Sequence, residues 1–191
     1  MIVLGIDPDT THTGVGLIKD GRAIYAKLVE VPNRKAKVRE RILRMIDAVD
    51  EFLADFRINH PEGTQIGKIV VEGQRHRTNG KARAQDMIHL AQVAGAIAGS
   101  CRSYWPGIEI EIPEPQEWKG SVKKAIFTRR VLKDLGLELS PRGGIQYTGS
   151  KTVVRVPGTT KLAEKDSSHP IDGLGLAHWG YLRTPLRSLR R

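Results

Sequence analysis

Cysteine is nearly absent from this chain of 191 residues, in which Cys101 is the single example. One cysteine can form neither an internal disulfide nor a cysteine-type zinc site, so we interpret Cys101 as a small core residue in a reducing compartment. Long apolar runs are also missing: no stretch approaches the roughly 18 residues of a membrane span, and the N-terminus lacks the basic-then-apolar order of a signal peptide. We therefore expect a soluble, intracellular protein.

Acidic residues are in deficit, with 21 Asp and Glu against 31 Lys and Arg, and the net charge is +10. Such a balance favours a polyanionic partner, nucleic acid first, over an acidic small molecule. A solvated, self-repelling surface explains the same charge, so charge alone leaves both interpretations open. The length predicts one domain, placed at residues 1–183, followed by a basic tail at 184–191.

Alternating and continuous apolar runs, separated by glycine and proline, predict the secondary structure. Three antiparallel strands are expected within residues 1–31. After them, the predicted elements are a helix over 35–57, a strand over 68–72, a helix over 82–102, a strand over 108–112, a helix over 121–135 and a helix beginning near Pro170. This order predicts an α/β domain with a mixed sheet.

Two segments carry structural expectations of their own. The helix over 82–102 has a face of small residues, which predicts a close approach of its backbone to the sheet or to another helix: Ala91, Ala94, Gly95, Ala98 and Gly99. Residues 140–168 contain several glycines and a strand-like fragment at 152–156. An irregular segment of this length is predicted to be functional or mobile rather than packed against the core.

Chemically active side chains occur where three predicted elements begin or end. Asp7 and Glu72 close strands, at the edge where open α/β sheets place their ligands. His169 and Asp172 have the i, i+3 spacing that puts both on one face of a first helical turn. If that helix end abuts the strand ends, four groups converge, and carboxylates so close repel unless a cation neutralises them. Two divalent ions in such a site hydrolyse phosphodiesters.

Each of these residues also has an ordinary structural explanation. Asp7 precedes a proline, where an aspartate commonly starts a turn. Glu72 can be a solvated strand end, Asp172 can favour the helix dipole, and His169 can be a cap or a surface residue. These explanations give no reason for the acids to share the site-facing ends of three elements, so we favour the ligand interpretation.

Four motifs resemble, in order and spacing, the RuvC-type Holliday junction resolvases of the RNase H-like superfamily: GIDPDTTHTGVGLI, VVEGQ, QVAGAIAG and HPIDGLGLAHW. The resemblance covers about residues 1–139 and 166–183. It implies an RNase H-like five-stranded mixed sheet, three antiparallel strands and then parallel strands, flanked by helices. It also implies a homodimer that nicks branched DNA during recombination and repair, in the cytoplasm of a bacterial or phage-infected cell, with no small-molecule substrate.

By the same resemblance, Asp7, Glu72 and Asp172 match three acidic ligands of a site for two Mg²⁺ or Mn²⁺ ions, and the products carry 5′-phosphates. His169 stands where many members have a fourth acid and some have histidine. Imidazole suits Mn²⁺ somewhat better than Mg²⁺, so we expect nicking in Mn²⁺ to be at least comparable to nicking in Mg²⁺.

The resemblance also assigns three further residues to positions near these ligands. Lys119 and Lys124 stand roughly where members place lysines that support catalysis near the scissile phosphate, although both are equally explained as solvated residues at a helix start. Asp9 replaces the glycine usual after the first Asp-Pro and is either a turn residue or a metal neighbour. We favour the turn.

Basic residues are the expected DNA contacts. The loop over 74–81 lacks the aromatic side chain that family members insert into a junction and is rich in arginine instead. Residues 140–168 match no part of the family and form either an added phosphate-contacting hairpin or a solvated loop. The predicted DNA-binding residues are Arg75, Arg77, Lys81, Arg83, Lys151 and Arg155.

Two other functions fit parts of the sequence. A non-catalytic junction-binding protein on the same scaffold would be marked by a missing ligand, whereas all four positions are filled here. IDPDTTHTGVG also resembles the phosphate-binding hairpin of actin-like and sugar-kinase ATPases. Those enzymes need two such domains and a second phosphate loop, for which this chain is too short.

Overall fold

The computed structural model describes residues 1–31, 36–74, 84–141, 143–148, 155–159 and 168–184. Its centre is a five-stranded mixed sheet in the order β3-β2-β1-β4-β5. The first three strands are antiparallel, whereas β4 runs parallel to both β1 and β5. The strands are β1 (Ile2–Asp7), β2 (His12–Lys19), β3 (Arg22–Glu30), β4 (Ile66–Val71) and β5 (Glu109–Glu111). The predicted five-stranded mixed sheet is confirmed.

Helices cover both faces of this sheet. They are α1 (Val38–Asn59), α2 (Ala84–Tyr104), α3 (Pro115–Lys119), α4 (Lys124–Asp134) and α5 (Ser168–Leu182), with a 3-10 turn at Pro61–Thr64. Side chains alternate between the faces of β1, so that Leu4 joins a core with α1 and α2, while Val3 joins a core with α4 and α5. None of the described helices is long and apolar enough to cross a membrane.

The predicted helix over 121–135 begins later and has a separate short helix before it. Pro115 begins α3 at a position where the missing N–H costs nothing. Glu114 and Glu117 form a reciprocal capping box around that start. Gly120 then ends α3 at φ 65°, and α4 starts at Lys124.

The small-residue face of α2 does not make the predicted close approach at two of its positions. A Cβ added at Gly95 or at Gly99 would meet no atom within 4 Å. Ala94, by contrast, is buried in the core. The two glycines lie on the exposed side of the helix, so they approach neither the sheet nor another described helix of the same chain.

Part of the 140–168 excursion is packed. Two short strands, β6 (Leu137–Leu139) and β7 (Ile145–Tyr147), form a hairpin against the core that contains α4 and α5. Ile145 and Val156 are fully buried in that core. The expectation of an unpacked excursion is wrong for these residues, while residues 149–154 and 160–167 lie outside the described part of the chain.

Helix α5 lies directly on the backbones of β1 and β2. A Cβ at Gly14 would lie 1.9 Å from the carbonyl oxygen of His169, and one at Gly5 would lie 2.2 Å from that of Gly173. Side chains at these strand positions would hold the helix away. The glycines therefore place the first turn of α5 against the end of β1.

Candidate active site

The predicted ligands meet at the carboxyl ends of β1 and β4. Asp7 is the last residue of β1, and the N–H of Glu72 donates to the Ile6 carbonyl over 2.9 Å, which sets the two acids side by side. The first turn of α5 brings His169 and Asp172 to the same place, because the helix rests on glycine. The side chains of Asp7, Glu72 and Asp172 are all buried.

Burial and mutual repulsion change the acid strength of this cluster. Desolvation, and then the charge of Asp172, raise the pKa of Asp7 to about 7. Desolvation, and then the charge of Asp7, raise the pKa of Glu72 to about 7. Burial likewise raises the pKa of Asp172. Asp7 and Glu72 therefore keep their protons up to about pH 7.

Both predicted catalytic lysines reach the cluster. Lys119 Nζ lies 2.7 Å from Glu72 Oε1, and Lys124 Nζ lies 3.3 Å from Asp172 Oδ2. Burial lowers the pKa of Lys119, but the nearby acids Glu72, Asp172 and Asp7 together outweigh burial, so the pKa of that lysine is raised. The two ammonium groups thus offset part of the buried negative charge.

The histidine of the cluster contacts the first acid. His169 Nδ1 lies 2.9 Å from Asp7 Oδ2, and the His169 side chain is one quarter exposed. Burial, and then the charge of Lys124, lower the pKa of His169. A neutral imidazole is the form that ligates a metal ion.

The donor set fits a divalent cation. Asp172 Oδ1 is buried and has no hydrogen-bond partner in the described structure, and carboxylate oxygens with one imidazole suit Mg²⁺ and Mn²⁺. As the side chains stand, no three acidic or imidazole groups in the described ranges are arranged to hold one ion. One oxygen of Glu72 and one oxygen of Asp172 are each paired with a lysine instead.

A cleft of about 360 Å³ opens beside the acids, between α3 and α4. Its lining includes Lys119, Lys124 and Asp172, together with Gly120 and Ser121. The cleft joins positive charge to the acidic cluster. It is therefore a place where a phosphate group can approach the buried carboxylates.

Two residues at the site escape the sequence analysis. The indole Nε1–H of Trp118 donates to Glu72 Oε1 over 3.1 Å. The ring of His12 stacks on that of His169, with centroids 5.7 Å apart and planes 9° from parallel. The sequence marks both residues only by position, since Trp118 directly precedes Lys119 and His12 lies in the first motif, and neither position specifies the contact.

Asp9 is a turn residue, as the sequence analysis favours. Its Oδ1 accepts hydrogen bonds from the backbone N–H of Thr10 and, over 3.3 Å, from that of Thr11. The Thr10 hydroxyl donates to the same oxygen over 3.2 Å. This is the local pattern by which aspartate stabilises a turn.

One of the six predicted DNA-binding residues lies in the described part of the chain. Arg75, Arg77, Lys81, Arg83 and Lys151 lie outside the described residues. Arg155 is described: its backbone pairs with Gln146, and its Nε is buried with no hydrogen-bond partner among the described groups. Contact of these six residues with DNA stays a prediction.

Comparison with known proteins agrees with the geometry. No protein-family model matches the chain. Among curated proteins, the crossover junction endodeoxyribonuclease RuvC of Mycobacterium bovis is 30% identical over 152 residues, covering 74% of this chain and 73% of the relative. RuvC of Frankia casuarinae is 31% identical over 147 residues, covering 74% of this chain and 80% of the relative.

Solved structures show the same fold. Thermus thermophilus RuvC in complex with a Holliday junction substrate has a TM-score of 0.60 at 20% identity, covering 100% of this chain and 97% of that one. The yeast mitochondrial Holliday junction resolvase Ydc2 has a TM-score of 0.50 at 9% identity, covering 98% of this chain and 83% of that one. Identities this low establish the fold alone, whereas the curated relatives establish the family. The chain belongs to the RuvC family of crossover junction endodeoxyribonucleases.

Proposed function

We propose that this endodeoxyribonuclease resolves branched DNA, four-way junctions first, by hydrolysing one phosphodiester in each of two opposing strands. The observation that carries the proposal is the meeting of Asp7, Glu72, His169 and Asp172 beside a lysine-lined cleft. The names of the curated relatives support the reaction, and the Holliday junction in the Thermus complex supports the substrate.

The acidic cluster is the proposed site of two Mg²⁺ or Mn²⁺ ions, held by Asp7, Glu72, His169 and Asp172. When bound, such ions supply an activated water and stabilise the charge on the leaving oxygen. Water attacks phosphorus, the bond from phosphorus to the 3′ oxygen breaks, and that oxygen takes a proton. The products therefore carry a 5′-phosphate and a 3′-hydroxyl.

The lysines have a role of their own in this proposal. Lys119 and Lys124 already sit in the cleft and pair with Glu72 and Asp172. Once cations neutralise those carboxylates, the ammonium groups are available to the scissile phosphate. Positive charge at that position stabilises the negative charge that develops in the transition state.

Paired cleavage needs two sites, and we propose that a homodimer supplies them. The exposed face of α2 is apolar or small where a solvated helix is ordinarily charged: Ile88, which is 58% exposed, with Ala91, Gly95 and Gly99. Residues of this kind let a second helix backbone approach closely. The proposed partner of this face is the same face of a second copy.

The test is incubation of a labelled four-way junction, a fork and a linear duplex with Mg²⁺ or Mn²⁺, with the cuts mapped on opposing strands. We expect symmetric paired nicks in the junction, and turnover in Mn²⁺ at least comparable to that in Mg²⁺. Clearly better turnover in Mg²⁺ at equal concentration would contradict the role given to His169.

The Asp7→Asn variant tests the site within the same assay. It keeps the shape of the side chain but weakens a ligand, so we expect nicking to be abolished and junction binding, measured at physiological salt against duplex competitor, to persist. A fully active Asp7→Asn protein would refute the site. Junction binding without nicking in the unaltered protein would favour the non-catalytic alternative.

A further inference from the structure

Two N–H donors of different character share one oxygen of Glu72. Lys119 Nζ lies 2.7 Å from Glu72 Oε1, and Trp118 Nε1 lies 3.1 Å from the same atom. Neither of these two bonds uses Oε2. Glu72 is thus held at one oxygen while the other is left to the acidic cluster.

The two donors differ in freedom of movement. The Lys119 side chain is 28% exposed and ends in a flexible ammonium group beside the cleft. Trp118 is only 7% exposed. The lysine can therefore leave Glu72 for a phosphate without disturbing the fold, whereas the indole cannot.

Packing fixes the indole from two helices. Its ring meets Phe127 of α4 edge to face, with centroids 4.9 Å apart and planes at 86°. On the α5 side, a Cβ at Gly175 would lie 3.0 Å from Trp118 Cζ3. The absence of a side chain at Gly175 makes the room that the indole occupies.

The donors also differ in charge. The ammonium group of Lys119 neutralises the carboxylate that it contacts. It therefore competes with a metal cation for the negative charge of Glu72. An indole N–H is a neutral donor, so it orients the carboxylate and leaves its charge available.

We propose that Trp118 is the positioning residue for Glu72, fixing its Oε1 so that the carboxylate stays directed at the acidic cluster when Lys119 moves away. The inference rests on the proposed function in one respect, that Glu72 is a ligand of the cations. Trp118 touches neither substrate nor cation in this role, and it acts only through Glu72.

The test is Mn²⁺ binding without DNA, measured by calorimetry or by the loss of the free-ion electron paramagnetic resonance signal. Trp118→Phe keeps an aromatic ring against Phe127 but removes the donor, and we expect about 10- to 100-fold weaker binding. Trp105→Phe is the matched control, because Trp105 is also buried and its Nε1–H donates to the Gly63 carbonyl over 2.6 Å, in the core on the opposite face of the sheet. The control should lose stability and keep its Mn²⁺ affinity.

A reference variant separates failure of this inference from failure of the proposed site. Asp172→Asn removes a proposed ligand and should weaken Mn²⁺ binding. If it does so while Trp118→Phe binds Mn²⁺ like the unaltered protein, the role of Trp118 is overturned and the site stands. If neither substitution changes binding, the proposed site fails and the inference fails with it.

The unaltered protein gives an independent measurement should Trp118→Phe fold poorly. The chain has three tryptophans, and hence three indole N–H signals in a ¹⁵N-labelled sample. Titration with Mg²⁺ should move the Trp118 signal, because its acceptor becomes a ligand, and leave the Trp105 signal in place. A Trp118 signal that stays fixed at saturating Mg²⁺ would overturn the proposal.

Discussion

Single side chains in the site differ from surface carboxylates chiefly in their solvation. Desolvation is the largest cause that raises the pKa of Asp7 and of Glu72, each to about 7. The lysines that pair with Glu72 and Asp172 offset this only in part. Without a cation the cluster therefore carries a stability penalty that depends on pH.

The sign of that dependence follows from the direction of the pKa shifts. In the unfolded chain Asp7 and Glu72 ionise at their ordinary values of 3.8 and 4.5, whereas in the folded protein both keep a proton until about pH 7. Stability is thus fully present below about pH 4 with respect to these groups and is lost as the pH rises toward 7. Thermal unfolding in a chelator should show the melting temperature of the unaltered protein falling across this window relative to that of Asp7→Asn.

Two changes should reduce the stability penalty of the acidic cluster near neutral pH. Asp7→Asn replaces one of the two titrating acids with a neutral group and should flatten the dependence. Saturating Mg²⁺ at pH 7.5 should raise the melting temperature of the unaltered protein, because ligand binding to the folded state alone stabilises it. A melting temperature insensitive to both pH and Asp7→Asn would contradict the description of a strained, buried acid pair.

At the scale of elements, the position of α5 depends on glycine in the strands beneath it. Gly14→Ala would place a Cβ 1.9 Å from the carbonyl oxygen of His169, so the helix start must move. We expect a loss of about 1–3 kcal/mol in unfolding free energy, together with a large loss of nicking, since the helix carries two of the proposed ligands. Denaturant unfolding and the junction assay measure the two effects.

The matched control for that substitution is Gly99→Ala in α2. A Cβ at Gly99 meets nothing within 4 Å, and alanine is the better helix former. We expect a gain of about 0.5–1 kcal/mol in unfolding free energy. Because Gly99 lies on the proposed dimer face, the integrity of the acidic site in this control is measured by Mn²⁺ binding without DNA, which should be unchanged. Equal behaviour of the two alanine variants would show that the contact of α5 with the sheet is looser than described.

The elements that could be predicted are those with a local signal. The apolar runs of β1 and β4 and the 3.6-residue period of α1 reveal strands and a helix, and their ends reveal Asp7 and Glu72. Pro115 was ambiguous, because the same residue can stop a strand or begin a helix, and only the capping box formed by its neighbours decides. Ile145 and Val156 gave no signal that their partners lie in α4 and α5.

Trp118 and His12 were missed for the same reason as the packing of Ile145 and Val156, because their contacts join distant parts of the sequence. The bond from Trp118 to Glu72 spans 46 positions of sequence, and the room for the indole comes from Gly175 in a third element. Nothing within a short window specifies such a contact. His12 is similar, since its stacking partner His169 is at the other end of the chain.

At the scale of the whole molecule, the proposed dimer can be tested without touching the site. Gly95→Arg projects a charged side chain from α2 into open space, so the fold should persist while the second copy is excluded. We expect the mass from light scattering to fall to that of one chain, and paired nicks to become single nicks.

The control places arginine on the opposite layer. Ala125 is exposed on α4, which packs on the other face of the sheet from α2, and Ala125→Arg should leave the mass of the assembly unchanged. A dimer that survives Gly95→Arg would place the contact elsewhere on the molecule.

The backbone contact between α5 and the central strands has a consequence for the choice of metal. Because glycine at position 14 meets the main chain of residue 169, the Cα at that position is fixed whatever its side chain. An imidazole can therefore be exchanged for a carboxylate at residue 169 without moving the other three proposed ligands. In the proposed site, cation preference and architecture are thus separable, and His169→Asp should change the preferred ion while the fold stays the same.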